Sequence, residues 1–433
     1  MPHFAIIAPA GPRITYVLDW IFKERLQSSY ELLHPNDATT GFDVVISYGN
    51  KIENTLFIPS IGLLQSAGVY QHALQEGFWN GLPVLYAAEG DLPFDLFSAV
   101  FFLISRYEEY YSKEKDAHER FTPSKSILFK LDCLQRPLVD EWISAFGEFI
   151  TKRHACVIET KSYRCLPSYD IDLVYKYKRK TIFVLFIKLI QSIYQINFKE
   201  SKQIFRYLLF IQNDPYDSFS FIKKLHHKIQ LKPLYFFLCA LEKTPHDRNV
   251  HPHKKWMKKL MGILLEQGNI GLHPSYFSYN NKHILKNEKE ALEKSLEKEI
   301  PLSRQHFIRL QLPQTYRILE SLSITDDFSM GYASELGFRA GTGRSFLWYD
   351  LEKEVCSELR VHPFCFMDAT ARYYKKWTAE EAFVALAKMN DLLKKTNSKL
   401  MLVMHNYALG GDQEWEGWQK AYEHFLLNEV PTF

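Results

Sequence analysis

Along the first 155 residues, short apolar runs alternate with amphipathic stretches. "FDVVISYG", "TLFIPS" and "LPVLYAA" predict strands, because β-branched and aromatic residues are bounded there by turn formers. "PFDLFSAVFFLISRYEEYY" sets Pro93 and Asp95 ahead of apolar residues at helical spacing. "PLVDEWISAFGEFITKR" opens on a proline and closes basic; both stretches predict helices. "HACVIETKSYRC" reads as a joint. Beyond it the pattern alternates. "CLPSYDID", "KPLYFFLCAL", "NIGLHPS", "QHFIRLQ", "ITDDFS", "LGFRAGT", "ELRVHPF" and "KLMLVMH" predict strands, and amphipathic stretches such as "TAEEAFVALAKMNDLLKKT" predict the helices among them. Repeated β-α-β units with right-handed crossovers imply a mainly parallel sheet or barrel. The organisation expected is two domains, 1–155 and 156–433.

At 46% hydrophobic and 24% charged residues, the chain has the make-up of a soluble globular protein. A net charge of +3 gives no reason to expect nucleic acid as a partner. The six cysteines form no CxxC pair, and several sit in apolar runs, as reduced core residues do. The start lacks a basic segment followed by a sustained apolar one, and no run reaches the length of a spanning helix. The expected location is therefore cytoplasmic. Residues 176–206 carry eight basic side chains and one acid among Leu, Ile, Phe and Tyr. The default reading is an amphipathic helical hairpin packed on the barrel. The alternative is peripheral contact with an anionic membrane or a lipid-linked sugar.

In α/β barrels, reactive side chains gather at the carboxyl ends of strands. Asp170 and Asp172 close "CLPSYDID", His273 closes "NIGLH" and His405 closes "KLMLVMH"; His306, Asp326, Asp327, Arg339 and His362 fall near other strand ends. Residues i and i+2 of a strand share a side, so Asp170 and Asp172 would repel one another. A bound cation removes that penalty, and Asp and His suit a zinc-like divalent ion.

"SYDID", "GLHPSY", "SRQHF", "DDFSMGYASELGFRAGT" and "LVMHN" resemble polysaccharide deacetylases of the NodB-homology type, carbohydrate esterase family 4. The likeness is nearest to a branch found with bacterial surface-polysaccharide genes, in which a separate N-terminal domain precedes the deacetylase. "SYGNKIENTLFIPSIGLL", "LPFDLFSAVFFLISRYEEY" and "RPLVDEW" resemble that domain. The resemblance implies a distorted (β/α) barrel preceded by a smaller α/β N-terminal domain. It implies hydrolysis of an N-acetyl group from an amino sugar of a surface polysaccharide or its precursor, with a divalent metal (zinc, or cobalt or nickel) as cofactor. Asp170 takes the role of catalytic base and Asp172 of metal ligand, with His273 as a second ligand. The family pattern carries another histidine four residues on, but position 277 is Phe, so His306 is the expected replacement. Arg339 matches the arginine that orients the base, and His405 the general acid, held by Asp368. Ser275, Tyr276 and Phe338 are expected on the substrate side. Three alternatives stand beside this reading: a degenerate relative that binds glycan without turnover, a glycosidase pairing Asp170 with Asp327 or Asp368, and an assembly subunit.

Overall fold

A computed structural model describes residues 2–431 of the chain. Its first sheet holds β1 (His3–Ile7), β2 (Ser29–Leu33), β3 (Val44–Tyr48) and β4 (Leu56–Ile58), all parallel, in the order β2-β1-β3-β4. A two-stranded antiparallel ribbon, β5 (Glu76–Trp79) and β6 (Leu82–Leu85), follows. The stretch expected as one long helix is split into Leu96–Ile104 and Tyr107–Tyr111. Arg106 adopts a left-handed conformation between them and turns its guanidinium inward onto Glu108 and Glu109. Asp95 caps the first piece by accepting the Ser98 amide.

The second sheet is built from β7 (Arg164–Ile171), β8 (Leu234–Leu238), β9 (Asn269–His273), β10 (Leu302–Ser303), β11 (Asp326–Met330), β12 (Phe346–Asp350), β13 (Val355–Pro363), β14 (Phe366–Met367) and β15 (Lys399–His405). Its order is β12-β13-β11-β10-β9-β8-β7-β15-β14, and only the β12–β13 pair is antiparallel. β12 and β14 are free edges, so the sheet is open, yet it curls strongly. Phe236 on β8 and Phe328 on β11 are separated by two strands, a distance of roughly 14 Å in a flat sheet. Their ring centroids are 5.2 Å apart. They share an apolar interior with Phe364, Met367, Met401 and Val403. The fold is thus a distorted, incompletely closed (β/α) barrel with an additional α/β portion ahead of it.

Three sequence expectations are corrected. "QHFIRLQ" is not a strand: pairing ends after Ser303, and Phe307 and Ile308 both take positive φ, which no strand accommodates. "LGFRAGT" is a loop in which Gly337, at φ +130°, runs against the first portion; a Cβ there would collide with the Leu134 carbonyl. In "ITDDFS", Asp326 and Asp327 begin β11 rather than end it, which places them away from the rim where the strands' carboxyl ends converge. Asp326 pairs with His362 Nε2 at 2.6 Å, and Asp327 accepts from the Tyr316 hydroxyl at 3.0 Å.

The two portions share one continuous apolar core. Glu109 sits at their junction, fully buried between Arg106 (2.8 Å) and Arg339 (2.8 and 2.6 Å). Burial alone would raise the Glu109 carboxyl, but the two guanidiniums outweigh it and hold it at about 2. Removing one member of such a network leaves uncompensated buried charge. Glu109→Ala should therefore lower unfolding stability by about 3–5 kcal/mol, read as a fall in the thermal or urea midpoint. An unchanged midpoint would contradict this assignment of Arg339's partner.

Candidate active site

Period-two alternation along β7 sends Tyr169 outward, to His226 (2.6 Å) and the Tyr422 hydroxyl (2.7 Å), and Ser168 and Asp170 inward. Asp172, just past the strand, lies on the same inner side. Asp170 is buried and compensated by Arg304, whose Nη1 donates to Oδ1 at 2.7 Å. Arg304 is itself fully buried. It also donates to Ser168 Oγ (2.8 Å) and the Phe328 carbonyl (3.0 Å), and its guanidinium lies 4.3 Å from the Phe236 ring centroid.

Asp172 faces three imidazoles. His273 Nε2 lies 3.4 Å from Oδ1; His306 Nε2 and His405 Nε2 lie 3.8 and 3.6 Å from Oδ2. In each ring the other nitrogen is committed to an oxygen. His273 Nδ1 donates to the Arg304 carbonyl (2.5 Å), His306 Nδ1 to Asp247 (2.9 Å) and His405 Nδ1 to Asp368 (2.6 Å). That commitment leaves the Nε2 atoms facing the centre. Burial alone would raise the Asp172 carboxyl; the imidazoles, His306 foremost, hold it well below the usual range. Burial works against charge on His306 and His405, but the carboxylates beside them outweigh it and bring both to about 9.

The donor set fits a divalent cation. One ligand atom each from Asp172, His273 and His306 lies within 4.8 Å of the others. Two donors about 2.1 Å from one tetrahedral ion sit about 3.4 Å apart, close to the Asp172–His273 separation and beyond ordinary hydrogen-bond length. Asp172 Oδ1 is buried with no hydrogen-bond partner, an orphaned acceptor aimed into the group. His405 falls outside this group. Asp368 holds it by two contacts, from Nδ1 and from the His405 backbone N–H (2.7 Å). Phe277 is about half exposed, and His306 enters instead from the turn after β10.

Asp170, Asp172, His273, His306 and His405 line one cavity of about 300 Å³, with Phe307, Tyr373, Tyr374 and Tyr407 among its aromatic walls. Four residues expected here are placed elsewhere. Arg339 is spent on Glu109, and Arg304 occupies the position beside Asp170 instead. Phe338 is buried at the junction, its amide on the Leu134 carbonyl. Ser275 donates its amide to Glu288, whose carboxyl burial pushes up to about 7. Tyr276 is a buried strut: its amide donates to Asp247, and its hydroxyl pairs with His118 at 2.9 Å.

The sequence reading missed Arg304, Asp247 and the reach of the first portion into the cavity. Arg120, from "DAHERF", lines the wall. Its Nη1 donates to the Phe307 carbonyl (2.9 Å), while Nε is held by Asp116 (2.7 Å). Arg309 returns the contact, donating to the His118 carbonyl (2.9 Å) and Glu119 (2.8 Å). The turn carrying His306 is thus clamped from both sides.

Residues 5–155 match DUF7033, a family described as being of unknown function, over about a third of the chain. No curated protein matches. Solved structures that the chain resembles include a protein from Mycobacterium smegmatis described as a polysaccharide deacetylase, at 10% identity and TM-score 0.38, covering 62% of this chain and 83% of that one. An allantoinase gives 10% identity and TM-score 0.37, covering 63% and 86%. A polysaccharide deacetylase from Bacillus cereus gives 12% identity and TM-score 0.29, covering 62% and 91%. Similarity at this level says nothing of chemistry, which rests on the residues.

If His306 depends on Asp247 for its orientation and basicity, Asp247→Asn should weaken zinc or cobalt binding about 10- to 100-fold, measured by calorimetry. Binding as tight as wild type would remove Asp247 from the site.

Proposed function

We propose that the chain is a divalent-metal-dependent hydrolase that removes the acetyl group from an N-acetylated amino sugar. The observation that carries this reading is the set of three imidazoles around Asp172, each with Nδ1 committed to an oxygen and Nε2 facing inward. Asp172, His273 and His306 would hold the cation. When bound there, it would polarise the amide carbonyl and make a water easier to deprotonate.

The chain's own residues divide the proton transfers. Asp170 has Oδ1 pinned by Arg304 and turns Oδ2 toward His273 Nε2, at 3.8 Å, so one oxygen remains to take a proton from the attacking water. His405 is buried, which disfavours its charged form, but Asp368 on Nδ1 favours that form and makes the ring suited to carry a proton. Its Nε2 gives that proton to the departing nitrogen. The C–N bond breaks, and acetate and a free amine leave. The aromatic walls suit a sugar ring: they offer flat apolar faces and, in the tyrosines, hydroxyls for hydrogen bonds. At about 300 Å³ the cavity suits one acylated ring rather than several. The finer reading, from the sequence resemblance, is an amino sugar of a bacterial surface polysaccharide or its precursor, free or lipid-linked, handled in the cytoplasm.

The test is acetate release from N-acetylglucosamine oligosaccharides by metal-loaded protein. Asp170→Asn and His405→Ala should each cut kcat by about 10²- to 10⁴-fold without loss of bound metal. Release of reducing ends without acetate would favour a glycosidase. No acetate from any N-acetylated sugar, with stoichiometric metal bound, would overturn the reading.

A further inference from the structure

The crossover from β7 to β8 contains two helices, Ile182–Tyr194 and Phe198–Leu208, in a hairpin that the sequence alone assigns by default to packing on the barrel. The structure corrects that. Within these helices only Leu185, Ser192, Gln203 and Ile204 are buried. Among the described residues, 14 of the 26 exposed large apolar side chains fall in 182–211. Phe183 is 70% exposed, Tyr194 88%, Phe198 71% and Phe210 95%. Surface apolar groups at that density mark a docking face.

We propose that residues 176–211 dock the protein onto an anionic lipid bilayer, lying within its interface. Three observations select this occupant. The first is charge. Eight of the 53 basic residues and one of the 50 acidic residues lie in 176–211, so the remaining 45 and 49 leave the rest of the chain at −4. The attraction to an anionic surface is therefore local to the hairpin. A second copy of the chain would set this basic face against itself.

The second observation is length. Thirteen residues span about 20 Å of helix, short of the roughly 30 Å apolar core of a bilayer. No described helix is long and apolar enough to cross a membrane. Short helices that expose Phe, Ile and Tyr beside basic side chains have the pattern of an element that lies in the interface.

The third observation is attachment. The hairpin is free at its tip and fixed at its foot. Lys176 Nζ binds Glu200 (2.8 Å), Gln203 (2.9 Å) and Asp412 (2.7 Å), while Asp214 accepts the amides of Lys176, Tyr177 and Lys178. The foot begins four residues past Asp172. The proposal does not depend on the reaction catalysed in the barrel.

Flotation of the full chain with phosphatidylcholine vesicles, with and without phosphatidylglycerol, tests it. The expected result is co-flotation with the anionic vesicles only, weakened by salt. Lys188→Glu/Lys199→Glu/Lys202→Glu should lower the partition coefficient by more than about a hundredfold. Phe183→Ser/Phe186→Ser/Tyr194→Ser/Phe198→Ser should abolish binding with an unchanged melting midpoint. Three results would overturn the proposal: wild type left unbound, serine or charge variants that still float, or a wild-type dimer by light scattering that the serine variant converts to monomer.

Discussion

Two carboxylates crowd one face of a strand inside an apolar barrel, and the rest of the site is arranged around that fact. Asp170 is buried and Asp172 largely so, and each is compensated differently. Asp170 receives a fixed cation from within the lumen, since Arg304 reaches it from beyond β10 at 2.7 Å. Asp172 receives imidazoles at separations too long for good hydrogen bonds, and one of its oxygens has no partner. The asymmetry divides the labour: one carboxylate is tied down with an oxygen to spare, and the other completes a set of donors that suits a divalent ion.

The first portion of the chain takes part in this arrangement. Glu109 joins it to the barrel through buried Arg339, while Arg106 of its own portion shares the carboxylate. Its 116–120 loop grips the turn that carries His306, where Phe307 and Ile308 both hold positive φ. Strained backbone of that kind persists when neighbours over-determine it. Here the neighbours are Arg120 and Arg309. A histidine supplied from such a turn, in place of one at position 277, needs support that the barrel strands alone do not give.

Much of this was legible in the sequence where a local pattern reports a local geometry. An apolar run ending in an acid or a histidine marks a strand end, so Asp170, Asp172, His273 and His405 could be named. Asp368 as the holder of His405 came from the family resemblance. Arg304 could not be read in the same way: its meaning lies in a contact 134 positions away, across the lumen. Arg339 misled because it stands in a matching stretch of sequence, but its guanidinium is taken by Glu109, and the neighbouring Gly337 packs against Leu134 at the junction. "QHFIRLQ" has the alternation of a strand, and only the positive φ values of Phe307 and Ile308 break it. The exposure of the 182–211 hairpin was hidden too, because composition fixes which residues are apolar and not whether anything packs on them.

The most direct measurement is anomalous X-ray diffraction from crystals grown with cobalt, recorded on both sides of the cobalt absorption edge. The expected result is one peak within bonding distance of an Asp172 carboxylate oxygen and of Nε2 of His273 and His306, with Asp170 still on Arg304. A peak away from Asp172, or an ion held through Nδ1 atoms, would contradict the division of roles between the two carboxylates.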